Sequence, residues 1–203
     1  MEAEATRSAI EGDKAQRIVE AMRASVARRG VAGSTFDHVA REARVSRGLL
    51  HYYFGTKERL LAEVVRRDTE LRMQILDERL AGARSADDFI ALLVYALEEM
   101  VREDPESIAV LFELFTLSRR NDEVAAEMAE MLRRTRDHVA GLLAAKQAEG
   151  VLHLRAAPEA IADILFSLSD GVSMRMLAER GHDFSATVSA GALAVRALLD
   201  DRG

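Results

Sequence analysis

The run Arg47-Gly48-Leu49-Leu50-His51 brings together side chains that suit the exposed edges of nucleic-acid bases. A guanidinium can donate two parallel hydrogen bonds to O6 and N7 of guanine, which makes Arg47 the strongest candidate for base readout. Gly48 carries no side chain, so a helix bearing it could approach a duplex closely. Leu49 could touch a thymine methyl or could be core. His51 is grouped with the base-contacting candidates, although its ring could instead donate to a phosphate. The motifs of other chemistries are absent: the chain has no G-x-S-x-G, H-E-x-x-H, G-x-x-x-x-G-K-[ST] or G-x-G-x-x-G. The histidines, His38, His51, His138, His153 and His182, have no metal-ligand spacing among them. With no cysteine, disulfides, thiol chemistry and cysteine-ligated zinc are removed together. The expectation is a protein that is not an enzyme, with no catalytic residue, no metal and no cofactor.

The elements that must position Arg47 lie in TFDHVAREARVSRGLLHYYFGTKERLL, from Thr35 to Leu61. Phe36, Val39, Ala40 and Ala43 recur at helical spacing and give a short helix one apolar face. Ser34 followed by Asp37 reads as a capping box opening that helix, and Ser46 as the cap of the next. Leu49, Leu50, Tyr53 and Phe54 form the inner stripe of the second helix, with Tyr53 mostly core and Tyr52 mostly outward. Val45 sits in the tight turn between them, where it can plug the angle. Two short helices joined by such a turn form a helix-turn-helix, whose second member enters the major groove by its N-terminal residues.

Charge agrees with this placement. The chain carries a net −6, yet from Lys14 to Arg59 ten basic residues stand against four acidic ones, Glu20, Asp37, Glu42 and Glu58. That segment is therefore at +6 and the remainder at −12. A basic segment on an acidic body suits a polyanionic partner. No apolar run approaches the ~20 residues of a membrane span, and MEAEATRSAI has neither a basic start nor an apolar stretch, so a cytoplasmic location is expected.

Helix punctuation is legible along the whole chain. A first helix is expected over Asp13–Arg29 with an apolar stripe of Ile18, Met22 and Val26, stopped by Gly30. Thr56 opens a fourth helix ending near Gly82, Ser85 with Asp88 a fifth, and Asp104-Pro105 a sixth. Asn121 opens a seventh running to Gly150. Pro158 starts an eighth closed by Gly181, and Asp183 a ninth ending around Asp200. Val151-Leu152-His153-Leu154 is a short apolar connector. The fold class expected is all-α, about nine helices, with an N-terminal three-helix helix-turn-helix domain and a C-terminal helical bundle. The domains are placed at 1–56 and 83–203, linked by a helix over 57–82.

The stretch from Thr35 to Leu61 strongly resembles the TetR family of bacterial transcription regulators. The matching residues are Thr35, Val39, Ala40, Ala43, Val45, Ser46, Gly48, Leu50, Tyr52, Tyr53, Phe54, Lys57 and Leu60. The resemblance implies that Thr35, Ser46, Tyr52 and Lys57 contact phosphates, a task suited to hydroxyls, helix N-termini and cations. Arg44 stands where the family usually has glycine. If that position needs a left-handed backbone, arginine costs about 1 kcal/mol or more; it could instead relax the turn and add a phosphate contact. His51 and Leu49 replace a frequent tyrosine and threonine on the recognition helix, so no operator sequence carries over.

Beyond Arg84 the resemblance implies a divergent body that binds a small molecule and dimerises. The eighth helix is apolar on more than one side and the ninth combines Ala186, Ala190, Ala194 and Ala197 with larger residues, a pattern that needs two partners. The expected dimer interface is Ile161, Leu165, Leu168, Val172, Val195 and Leu198, in a four-helix arrangement. Expected ligand-binding residues are Phe89, Tyr95, Phe112, Phe115, Met128, Met131, Phe166 and Met174, with Thr135, Asp170 and Arg175 as polar contacts. All of the apolar ones could equally be core. The function expected is a sequence-specific DNA-binding regulator, a ligand-responsive repressor that binds a palindromic operator as a homodimer and responds to a small-molecule effector. Alternatives are an activator, a regulator without a ligand, and, from another class, a helical interaction module with a vestigial helix-turn-helix.

Overall fold

The computed structural model describes residues 2–199, and the side chains of all of them except 2–11 and Arg72. Among the described residues there are nine helices and no strand: α1 Glu2–Gly33, α2 Phe36–Ala43, α3 Arg47–Phe54, α4 Lys57–Leu80, α5 Ala86–Glu103, α6 Pro105–Ser118, α7 Asp122–Ala148, α8 Pro158–Ala178 and α9 Ser185–Leu199. The all-α class and the order of elements are as the punctuation implies. The expected end of the last helix at Asp200 lies outside the described residues.

The chain forms two compact units, each assembled from separate stretches. The first runs up to Asp68 and adds Ala109–Met131; the second takes Thr69–Ile108 and the chain from Leu132 onward. In the first, Ile18, Met22 and Val26 of α1 meet Val39 and Ala40 of α2, Leu50 of α3, Leu60 and Val64 of α4, Leu114 of α6 and Val124 of α7. In the second, Leu80, Phe89, Val139, Leu143, Ile161, Val195 and Leu199 form the core. Leu152 of the apolar connector is fully buried among them. The connector also satisfies the end of α9: His153 N–H donates to the Leu199 carbonyl and Arg155 N–H to that of Leu198, each at 3.0 Å. Those carbonyls have no partner within their own helix.

Several caps fall where expected. Asn121 Oδ1 accepts from Val124 N–H at 2.9 Å and Asp104 Oδ1 from Ser107 N–H at 3.2 Å. Thr56 Oγ1 accepts from Arg59 N–H at 3.2 Å and Ser85 Oγ from Asp88 N–H at 3.1 Å. Others differ. The first helix extends back to Glu2 and is not ended by Gly30. Gly30 bends it instead, with φ 67° and ψ 170°, and one further turn reaches Gly33. That turn starts on a borrowed acceptor, because Val31 N–H donates to the Glu113 carboxylate of α6 at 3.1 Å. The cap of α2 is Thr35, whose Oγ1 accepts from His38 N–H at 3.3 Å. Ser34 is buried and spends its hydroxyl on the Gly30 carbonyl at 2.9 Å, so it cannot serve as expected. Ser46 holds the N-cap position of α3 in extended backbone but makes no capping hydrogen bond with its side chain. The fourth and eighth helices stop at Leu80 and Ala178, a little before the glycines expected to close them.

The turn between α2 and α3 decides the question posed by Arg44. Arg44 has φ 56° and ψ 46°, the one non-glycine residue with positive φ among the described residues. Its N–H donates to the Arg41 carbonyl at 3.3 Å, and Val45 N–H to that of Ala40 at 3.0 Å. These two bonds make the Schellman pattern, normally built on glycine at the left-handed position. Val45 then packs against the first core. A side chain in that backbone region costs roughly 1–2 kcal/mol, partly offset by the smaller entropy arginine loses on folding. Arg44→Gly is therefore expected to stabilise the fold by about 0.5–1 kcal/mol, a rise in melting temperature of roughly 1–4 °C for a chain of this size. Thermal unfolding followed by circular dichroism checks it, and a lowered melting temperature would show that the Arg44 side chain contributes more than its backbone costs.

Candidate nucleic-acid interface

The two short helices present opposite characters to the inside and the outside. Phe36, Val39, Ala40 and Ala43 of α2 are buried, and Leu50 of α3 is fully buried. Replacing Leu50 with Ala would cost about 2–5 kcal/mol, enough to threaten so short a helix. Leu49, Tyr53 and Phe54 are half-buried against the same core. Leu49 thus leans toward packing, while Tyr53 packs inward as its spacing implies.

The outer edge carries the polar residues. Thr35, Arg44, Ser46, Arg47, Gly48, His51 and Tyr52 are all exposed, Tyr52 to 76%. The Ser46 hydroxyl, unused by its own helix, stands next to Arg47 at the N-terminus of α3. Such an end carries unpaired N–H groups and the positive pole of the helix dipole, both of which favour a phosphate. A methyl group added at Gly48 would meet nothing closer than the Ser46 hydroxyl oxygen at 4.0 Å. Nothing inside the protein therefore requires glycine there, although glycine lowers helix stability.

Two residues are less free than their types imply. His51 Nδ1 lies 3.1 Å from the Gly55 carbonyl, and its ring meets Phe36 edge-on with centroids 4.8 Å apart. A carbonyl only accepts, so Nδ1 carries a hydrogen and is spent on Gly55, leaving Nε2 for any further partner. Lys57, at the start of α4, donates from Nζ to the Val31 carbonyl. Burial holds its pKa below the usual lysine value, opposed by the charge of Glu58. Its ammonium ties the start of α4 to the last turn of α1.

The residues expected to make one ligand pocket are divided between the units. Phe112, Phe115, Met128 and Met131 belong to the first; Phe89, Tyr95, Thr135, Phe166, Asp170, Met174 and Arg175 to the second. Phe89 and Met128 are buried in separate cores. Tyr95 and Phe115 are each 51% exposed and Met174 47%. Tyr95 hydroxyl donates to Glu99 at 3.3 Å beneath the Arg79 guanidinium, and Arg175 pairs with Glu179 at 2.8 Å one helical turn away. Thr135 is buried and donates to the Leu132 carbonyl at 3.2 Å. Phe166 and Asp170 are half-buried.

The expected dimer residues mostly face inward. Ile161 and Val195 are buried in the second core, while Leu165, Leu168 and Leu198 pack against it half-buried. Val172 is half-buried as well. Both helices must seal their own unit first, and the larger aliphatic side chains do so. The outward faces carry large residues that were not assigned to the dimer from sequence. They are Ile164 and Met174 of α8 and Leu193 of α9, the last 67% exposed. The small residues Gly171 of α8 and Ala186, Ala190 and Ala197 of α9 are exposed as well. Asp37 was also missed: it approaches Arg47 at 3.3 Å, ten residues apart, a pairing only the tertiary turn creates.

Comparison with known proteins agrees with this architecture. Residues 18–64 match the family model of bacterial regulatory proteins, tetR family, and residues 84–201 that of the tetracyclin repressor-like C-terminal domain. The chain is 28% identical over 148 residues to the HTH-type transcriptional regulator BetI of Agrobacterium fabrum, covering 68% of this chain and 70% of that one. It is 44% identical over 96 residues to the HTH-type transcriptional repressor SCO4008 of Streptomyces coelicolor, covering 47% and 46%. Among solved structures, the transcriptional regulator FadR from Bacillus subtilis in complex with stearoyl-CoA superposes with a TM-score of 0.71 at 18% identity, covering 89% of this chain and 96% of that one. With both halves of the chain matched and the α2–α3 surface built as described, the chain belongs to the TetR family of bacterial regulatory proteins, and α2–α3 is its DNA-binding helix-turn-helix.

Proposed function

We propose that the chain is a ligand-responsive repressor that binds a palindromic operator as a homodimer in the cytoplasm. The observation that carries the DNA-binding half is Gly48, a glycine on an exposed helix edge with open space around it and no internal reason to be glycine. In this reading Arg47 reads a base beside it, with Leu49 and His51 flanking, and Thr35, Arg44, Ser46 and Tyr52 hold phosphates. Lys57 joins them through an N–H not used on the Val31 carbonyl. Residues 1–56 form the DNA-binding part, α4 the link and 83–203 the body, a division supported by separate family models over 18–64 and 84–201, with Ala109–Met131 of the body packing in the same unit as the DNA-binding part.

The ligand response is supported by the family and by the stearoyl-CoA complex of the related fold. Phe166, Thr135 and Asp170, which are at least half-buried in the second unit, are the proposed effector contacts. A bound effector and a bound operator must oppose one another reciprocally, typically by 1–3 kcal/mol. The dimer is proposed to form through the outward faces of α8 and α9, with Ile164, Met174 and Leu193 meeting their copies across a two-fold axis. No helix among the described residues is long and apolar enough to cross a membrane, and an exposed apolar face of this kind marks an interaction site.

Two measurements test the reading. Gly48→Ala is expected to leave the fold intact or to stabilise it by up to about 1 kcal/mol, while weakening duplex binding at least tenfold (more than about 1.4 kcal/mol) by holding the helix off the bases. Wild-type binding should fall steeply with salt, as counterions return to phosphates. Unchanged duplex affinity in Gly48→Ala would remove the close-approach argument. For the dimer, Ile164→Glu with Leu193→Glu is expected to give a folded monomer in sedimentation, because both positions are exposed in the single chain. A wild type that sediments as a monomer at micromolar concentration would refute the interface.

A further inference from the structure

Arg47 has a carboxylate partner. Its Nη1 lies 3.3 Å from Asp37 Oδ1 and 3.4 Å from Oδ2. Asp37 is in the first turn of α2 and Arg47 opens α3, so the pair bridges the two helices of the motif. Both side chains are exposed, 60% for Arg47 and 61% for Asp37, on the same outer edge as Ser46 and Gly48.

The way the pair is made leaves a defined part of the guanidinium open. Arginine presents five N–H donors in one plane, and guanine takes two of them at O6 and N7. Both carboxylate oxygens approach the same nitrogen, Nη1. The fork formed by Nε and Nη2 points the other way and is one of the two forks that match guanine. We propose that Asp37 is a specificity-determining residue: it orients Arg47 so that the Nε–Nη2 fork reads one guanine in each half-site. The proposal rests on α3 being the recognition helix.

Charge makes the same pair selective as well as oriented. Asp37 is one of four acidic residues in the basic stretch from Lys14 to Arg59. A carboxylate beside a duplex is repelled by phosphates unless a cation neutralises it. At guanine, Arg47 satisfies the base and Asp37 together. At any other base, Arg47 gains most by swinging to a phosphate, which strands Asp37 unpaired against the polyanion. The carboxylate therefore penalises wrong sequences and lowers affinity for duplexes in general, a repulsive element of the kind that sharpens specificity. An acidic residue in a helix's first turn also interacts favourably with the helix dipole. That role changes stability alone and carries no base preference.

The test is selection from a random-sequence duplex library with the full chain, comparing wild type, Arg47→Ala, Asp37→Ala, Asp37→Asn and the Arg47→Ala/Asp37→Ala double variant, each first checked for a wild-type-like thermal transition. Titrations with the selected duplex and with duplexes altered at single positions follow at fixed salt. Wild type should select a guanine at one position per half-site and discriminate against its replacement about tenfold or more. Arg47→Ala and Asp37→Ala should lose preference at that same position, Asp37→Ala by roughly three- to tenfold, with random-duplex binding unchanged or tighter. The double variant should lose nothing further, because the two residues act as one unit. Asp37→Asn removes the charge while nearly preserving shape, and should lose discrimination in the same direction. If Asp37→Ala and Asp37→Asn keep wild-type discrimination at every position, the proposal is overturned while α3 remains the reader. If Asp37→Ala binds the selected duplex more tightly with its guanine preference intact, Asp37 merely restrains Arg47 and the proposal is again overturned. A wild type that selects no sequence would overturn the reading of α3 itself.

Discussion

The angle between α2 and α3 hangs on a single residue in left-handed backbone. Arg44 turns the chain so that its own N–H and that of Val45 close on the Arg41 and Ala40 carbonyls, and Val45 is delivered to the core. If that turn opened, Leu50 would leave its buried position and the polar edge of α3 would lose its aim. Two helices of eight residues each are too short to hold themselves, since isolated helices of that length are marginal in water. Their geometry is therefore a tertiary property, set by the turn above and by the core of α1 and α4 beneath. The arginine carries a conformational cost that glycine would avoid, and it leaves a cation on the surface in exchange.

This turn was legible as a question but not as an answer. The sequence placed Arg44 at a position where the resembled family has glycine, and only the coordinates decide whether the backbone stays left-handed. The inner residues were readable because burial follows helical period: Phe36, Val39, Ala40, Ala43 and Leu50 face inward as their spacing demands. Cap assignments were readable at Asn121, Asp104, Thr56 and Ser85, while Ser46 holds its cap position without a side-chain bond. They failed at Ser34, where two adjacent hydroxyls competed and the buried one bonded backward to Gly30. Local sequence cannot rank such competitors, because the choice depends on which residue the core has already covered.

The body was harder to read for a related reason. α8 and α9 are apolar on more than one side, so period alone does not say which side seals the unit and which is left outward. The large aliphatic residues Ile161, Leu165 and Val195 went to the unit's own core, and the outward faces kept small residues with a few large ones. Volume is the physical reason: inner positions must fill space, whereas the outward positions of Gly171, Ala190 and Ala197 carry no such demand. The ligand residues were hard to read because aromatic and methionine side chains serve any core. Met128 and Phe89 ended in different ones.

The first unit also shows that a DNA-binding head need not be a contiguous piece of chain. Val110 and Leu114 of α6 and Val124 and Met128 of α7 are buried in the same core as Leu50. Two carboxylates fasten these segments at opposite ends of the helix-turn-helix. Glu113 accepts from Val31 N–H ahead of α2, and Glu123 pairs with Arg59 at 3.1 Å just after α3. The second of these is exposed and worth little by itself. The first satisfies a backbone N–H that the Gly30 bend removes from the helical ladder, and Lys57 meets the carbonyl of the same residue. Val31 is thereby held from both sides, one partner coming from α6 and the other from the start of α4. Because neither partner lies in α2 or α3, the chain entering α2 is held by other helices, and the head keeps its shape only while α4 and α6 keep theirs.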